Sequence, residues 1–67
     1  MSIGARIKAS RESLGMSQAE LALLAGYSDQ TTIPRVEKDE VAVPLARLEK
    51  IASALGVSPA YLAGWEE

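Results

Sequence analysis

Apolar positions recur along this chain at spacings of three and four, and Gly, Pro and small polar residues interrupt them at short intervals. Such spacing places residues on one face of an α-helix, so each uninterrupted piece predicts one helix. Ile3, Ile7, Ser10, Arg11 and Leu14 share a stripe after Ser2, and Gly15 stands where a left-handed C-cap fits; together they predict a first helix over 2–14. Ser17-Gln18-Ala19-Glu20 is a capping box, in which hydroxyl and carboxylate each satisfy a free backbone N–H ahead of Leu21, Ala22, Leu24 and Ala25. The second helix therefore runs from Gln18 to Ala25 and stops at Gly26.

A polar, turn-forming stretch, Tyr27-Ser28-Asp29-Gln30, leads into Thr31-Thr32-Ile33-Pro34-Arg35-Val36-Glu37-Lys38, where Ile33 and Val36 share a face. A short third helix fits. Inside a helix Pro34 would delete a hydrogen bond and clash with the preceding turn, at a cost of about 3 kcal/mol. It is harmless only in the first turn, which places the cap at Thr31 or Thr32. Leu45, Leu48, Ile51, Ala52 and Leu55 form the cleanest stripe, opened by Pro44 at a first-turn position and closed by Gly56. Ser58-Pro59 is a cap followed by a first-turn proline, and it begins a last short helix through Tyr61 and Leu62, before Gly64 and Trp65. Only Val41-Ala42-Val43 alternates, weakly, in a connection. The expected architecture is all-α, a compact unit of five helices in one domain over 1–67.

Composition narrows the function more than the fold. Of 67 residues, 11 are Ala and 16 are Leu, Ile or Val, so the core is thin and each cap and close helix contact matters. The chain has no Cys and no His, which removes thiolate and imidazole metal ligands, disulfides and the Ser-His or Cys-His nucleophiles. No metal or other cofactor is expected, no small-molecule substrate is evident, and an enzyme is disfavoured. The longest wholly apolar run, Leu21 to Ala25, is far short of a membrane span, and Met-Ser-Ile-Gly does not open a signal peptide. A soluble, cytoplasmic protein without a membrane partner is expected. Seven Lys and Arg against nine Asp and Glu give a net charge of -2. Binding to nucleic acid would then rest on a local basic patch rather than on overall charge.

Two helices joined at Gly26 suggest a helix-turn-helix, whose second helix can enter the major groove of DNA. Ala22 is small enough for a close crossing, Gly26 can take the positive φ of the turn, and Ile33 would bury the second helix against the first. Many helical hairpins carry Ala and Gly at this spacing, so the pattern by itself also fits a purely structural hairpin.

The longer segments are more specific. Ser2-Ile3-Gly4-Ala5-Arg6-Ile7-Lys8, Arg11, Leu14 through Ala22, Ala25-Gly26-Tyr27, Thr32-Ile33, Arg35-Val36-Glu37-Lys38, Leu48 through Ala52 and Ala54 through Leu62 together resemble the phage Cro/repressor type of helix-turn-helix, the lambda-repressor-like fold. The resemblance covers nearly the whole chain. The ending, Tyr61 through Glu67, is similar to the point where prophage repressors pass into a linker and a C-terminal dimerisation or self-cleavage domain.

The resemblance implies a sequence-specific DNA-binding transcriptional regulator, repressor-like, that reads a pseudo-palindromic double-stranded operator as a homodimer, when bound or at full length. Ser17 and Gln18 match phosphate-contacting positions at the start of the second helix. Gln30, Thr31 and Thr32 match the start of the recognition helix, where amides and hydroxyls reach base edges. Arg35 and Lys38 match further groove or backbone contacts, and Arg11 and Glu37 match a buried ion pair between the first and third helices. Four features depart from the family pattern: one extra residue in the connection before Ile33, Pro34 for a small polar residue, Asp39 for a helix-ending Gly, and Ser10 for Leu. Asp29, Asp39 and Glu40 add negative charge near the third helix, where it would repel phosphate. The alternative is a helix-turn-helix used for protein interaction with weak or lost DNA binding, which an exposed apolar face of Leu23, Tyr61 and Trp65 would favour. Leu62 is expected in the core and Trp65 at an interface or exposed.

Overall fold

Ser2 starts the first helix by accepting the backbone N–H of Ala5 on its hydroxyl at 3.0 Å. From there the computed structural model describes residues 1–65 and folds them into α1 (Ile3–Ser13), α2 (Gln18–Leu24), α3 (Thr32–Glu37), α4 (Leu45–Leu55) and α5 (Pro59–Ala63). Glu66 and Glu67, the end of the segment that resembles a linker junction, lie outside the described residues. Among the described residues the architecture is all-α, as the periodicity predicts.

The capping box forms in full: Glu20 N–H donates to Ser17 Oγ at 3.0 Å, and Ser17 N–H donates to Glu20 Oε1 at 3.3 Å. At the other end of α2, Ala25 is the C-cap, Gly26 takes φ +79°, and Tyr27 N–H returns to the Ala22 carbonyl at 2.9 Å. This is the Schellman closure that glycine makes easy, and it turns the chain toward α3.

α3 begins at Thr32 with Thr31 as cap, but Thr31 makes no side-chain capping bond. Asp29 holds the entry instead, accepting Thr31 N–H at 2.9 Å and the Thr31 hydroxyl at 2.7 Å. Pro34 is the third helical residue, in the first turn, where the N–H has no intrahelical partner to lose. The anticipated cost of an interior proline therefore does not arise. Pro44 corrects a smaller expectation: it is the N-cap of α4 rather than a first-turn residue. Ser58 and Pro59 sit as predicted, with Tyr61 N–H on Ser58 Oγ at 3.0 Å.

The core gathers Ile7 from α1, Leu21 and Ala22 from α2, Ile33 and Val36 from α3, Leu48, Ile51, Ala52 and Leu55 from α4, and Leu62 from α5. The predicted stripes are right in period and too wide at their ends. Ile3, Leu14 and Leu45 are exposed, and α1 buries Gly4, Ile7 and Arg11. Ile7 and Arg11 keep the predicted stripe, and Gly4 takes the buried place expected of Ile3, because it lets the helix end lie directly on the backbone of α3.

Candidate nucleic-acid interface

A buried ion pair joins α1 to α3. Arg11 Nε donates to Glu37 Oε2 at 2.7 Å and its Nη2 to Oε1 at 3.1 Å, a forked geometry that suits guanidinium and carboxylate. Arg11 Nη1 also donates to the Met16 carbonyl at 2.8 Å, and Gln18 Nε2 donates to Glu37 Oε1 at 3.0 Å. Every buried polar side-chain atom of the described residues has a partner. The Glu37 hydrogen bond holds the Arg11 guanidinium pKa above its usual value, against the desolvation that would lower it. The expected Arg11–Glu37 link is present, and it extends to the first residue of α2.

Gln18 is thus placed differently from expectation. Its side-chain amide faces Glu37 and ties α2 to the last turn of α3, so it is already engaged rather than offered outward. Ser17 is exposed, and its hydroxyl accepts the Glu20 N–H. With the Leu21 N–H on the Ser17 carbonyl, the N–H groups of Gln18 and Ala19 meet no acceptor among the described residues. The outward donors at this helix end are backbone groups.

α3 divides cleanly into two faces. Ile33, Val36 and Glu37 point inward, whereas Thr31, Arg35 and Lys38, spaced four and three apart, form an exposed stripe on the opposite side. Gln30 is exposed just ahead of this stripe, and Thr32 is half-buried beside it. The Thr31 hydroxyl and N–H are both engaged by Asp29, so its methyl is what the side chain leaves free. Asp29 titrates below its usual value because that hydroxyl and the Thr31 N–H donate to it, with Arg35 adding attraction.

Asp39 also departs from its expected role. It stands in the left-handed region at φ +59°, doing the conformational work of the usual Gly, and it accepts Gly4 N–H on Oδ1 at 3.0 Å. A hydrogen bond with Ser2 lowers its pKa most, followed by the Gly4 N–H. Its charge is directed at the N-terminus of α1. Among the three acidic residues expected to repel phosphate, only Glu40 is without such a partner in the described structure.

Arg47 is a residue that sequence reasoning missed. Its Nη1 donates to the Ala25 carbonyl at 2.7 Å, and its guanidinium lies over the Tyr27 ring, 4.5 Å from the centroid. It clamps the turn between α2 and α3 from α4. Burial raises the Tyr27 pKa, and the Arg47 charge opposes that shift. No local pattern pairs these residues; only the polar position of Arg47 just before the buried Leu48 hinted at a role.

Apolar exposure is uneven. Leu23 is 78% exposed and Trp65 83%, whereas Tyr61 is half-buried with Arg6 5.7 Å from its ring centroid, and Leu62 is in the core. The anticipated Leu23–Tyr61–Trp65 face therefore loses its middle member.

Residues 7–62 match the helix-turn-helix family. The chain belongs to that family. The helix-turn-helix chain also superposes on the P22 c2 repressor protein, solved in complex with synthetic operator 9T in the presence of Tl+, with a TM-score of 0.90 and 32% identity over 98% of each chain. A chain of the SinR protein/SinI protein complex matches with a TM-score of 0.80 and 36% identity over 90% of this chain and 58% of that one. The phage-repressor resemblance and the five-helix fold are borne out by these likenesses. Family and fold are those of DNA-binding regulators. Among the described residues no group of His, Cys, Asp and Glu could hold a metal ion, and no helix is long and apolar enough to cross a membrane.

Proposed function

We propose that this helix-turn-helix chain is a sequence-specific DNA-binding transcriptional regulator of the repressor type. α3 enters the major groove, with Gln30, Thr31, Thr32 and Arg35 toward base edges. Ser17, the N-terminal amides at Gln18 and Ala19, and Lys38 face phosphates. A bidentate amide–adenine or guanidinium–guanine pair supplies about 1–3 kcal/mol of discrimination, so two or three such contacts per monomer suffice for a preferred site. Two copies on a pseudo-palindromic operator double that selectivity, as a homodimer. It acts in the cytoplasm on double-stranded DNA and is not an enzyme, a reading supported by its family and by its fold, which is that of DNA-binding regulators.

One observation carries this reading. The exposed Thr31–Arg35–Lys38 stripe is backed by the Arg11–Glu37–Gln18 network, which fixes α3 to both α1 and α2, in a fold shared with a repressor solved on its operator. Exposed Leu23 and Trp65 favour the second reading, a protein-interaction module. Titrating isotope-labelled protein with duplex DNA and following its amide resonances separates the two. The DNA-binding reading expects shifts at Ser17–Ala19 and Gln30–Lys38; no shift there at low salt contradicts it.

A further inference from the structure

The first turn of α1 and the last turn of α3 lie so close that no side chain fits between them. A Cβ on Gly4 would fall inside contact distance of the Val36 carbonyl oxygen, 2.6 Å from that of Glu37 and 2.8 Å from Asp39 Oδ1. Asp39 closes this contact: its carboxylate takes the Gly4 N–H across 35 positions of sequence. It does so from φ +59°, which Gly would adopt more readily. Backbone geometry alone therefore favours Gly at this position, and what Asp adds is the carboxylate. The Arg11–Glu37 pair is a second tie between the same two helices. Arg11 and Gln18 hold α3 through Glu37, and Asp39 adds a separate hold on the first turn of α1 just past the end of α3.

We infer that Asp39 is a positioning residue for DNA reading: by joining the end of α3 to the start of α1, it sets the angle at which Gln30, Thr31 and Arg35 are presented. The inference rests on the DNA-binding reading above. Recognition side chains must be held to within about 10–20° to make paired contacts, so a modest pivot costs discrimination before it costs non-specific attraction.

The test uses a duplex selected by the wild-type protein from a randomised pool, and a scrambled duplex of equal length. Both are titrated with wild type, Asp39→Gly, Asp39→Asn and Glu40→Gln, and the α1–α3 angle of each protein is measured by residual dipolar couplings. Asp39→Gly keeps the backbone conformation and removes the carboxylate. It is expected to lose about tenfold of the preference for the selected duplex, roughly the value of one base pair, and to reorient α3. Asp39→Asn keeps an acceptor oxygen and stays within about twofold of wild type. Glu40→Gln tightens both duplexes alike, as loss of a repelling charge should. If Asp39→Gly behaves like Glu40→Gln and the helix angle is unchanged, the positioning role is wrong. If wild type selects no duplex, the DNA-binding reading has failed by itself, and the angle decides Asp39: an unchanged angle in Asp39→Gly overturns its role, and a changed one upholds the tie between helices.

Discussion

The Arg11 guanidinium and the Glu37 carboxylate meet through two parallel hydrogen bonds, 26 residues apart in sequence and almost wholly out of water. Removing one partner leaves a buried charge, which costs about 3–5 kcal/mol. A domain of this size holds about as much in total. Glu37→Ala is therefore expected to leave the chain largely unfolded at room temperature, whereas Glu40→Ala, at an exposed residue, changes stability by less than about 0.5 kcal/mol. Urea unfolding followed by circular dichroism checks this, and equal effects of the two substitutions would contradict the buried pair.

Pro34 sits in the first turn of α3, where its missing N–H costs no helix bond. Pro34→Ala is expected to change stability by less than about 1 kcal/mol, since the ring's stiffening of the unfolded chain offsets any local strain. A gain near the roughly 3 kcal/mol of an interior proline would mean that the helix starts earlier than Thr32. Thermal unfolding of the two proteins gives the difference.

The Arg47 clamp on the α2–α3 turn combines one hydrogen bond with one cation–π contact. Arg47→Ala is expected to cost about 1–2 kcal/mol, and Arg47→Lys less, because Lys keeps the charge and loses the planar stacking. The same urea experiment reads both. An unchanged midpoint for Arg47→Ala would show that the turn holds itself.

Asp29 and Asp39 have folded-state pKa values below the usual 3.8, the first through the Thr31 hydroxyl and the second through Ser2. Groups depressed in this way contribute stability that is present above pH 3.8 and is lost as pH falls through their lowered folded values. With no His in the chain, stability is expected to be flat from about pH 5 to 8 and to drop below about pH 4. Asp29→Asn and Asp39→Asn should each flatten that acid limb in a series of melting curves. A limb as steep as wild type in either variant would contradict its carboxylate's part in it.

Much of the fold was legible because its signals are local. Ser17 and Glu20 stand three apart, Ser58 precedes Pro59, and Gly26 follows an apolar run, so each cap announces itself within one turn of chain. The Arg11–Glu37 pair was legible only through family resemblance. Periodicity located the faces but not their centres, which is why Ile3, Leu14 and Leu45 were read into the core and proved exposed. What stayed hidden was pairing at a distance. Gly4 with Asp39, Tyr27 with Arg47, and Gln18 with Glu37 depend on how helices cross, and no spacing in the sequence encodes that crossing. The site residues divide the same way. Gln30, Arg35 and Lys38 lie on the outer side of α3 or at its approach, while Gln18 and Thr31 spend their polar groups on Glu37 and Asp29.

The Gln30 and Arg35 side chains are exposed and make no hydrogen bond among the described residues. Gln30→Ala and Arg35→Ala are expected to keep the wild-type melting temperature within about 2–4 °C, since surface changes stay within about 0.5 kcal/mol, and to lose sequence preference. Competition between a selected and a scrambled duplex measures the preference. Equal discrimination by wild type and both variants would remove these residues from the reading face.

The most direct measurement is selection from a randomised pool of short duplex DNA by the purified chain and by a forced-dimer fusion of it, at low and moderate salt. The account predicts an enriched palindrome whose retention falls steeply with salt, with half-sites spaced by about one helical turn. No enriched sequence from either protein, even at low salt, would contradict the claim that this helix-turn-helix reads DNA.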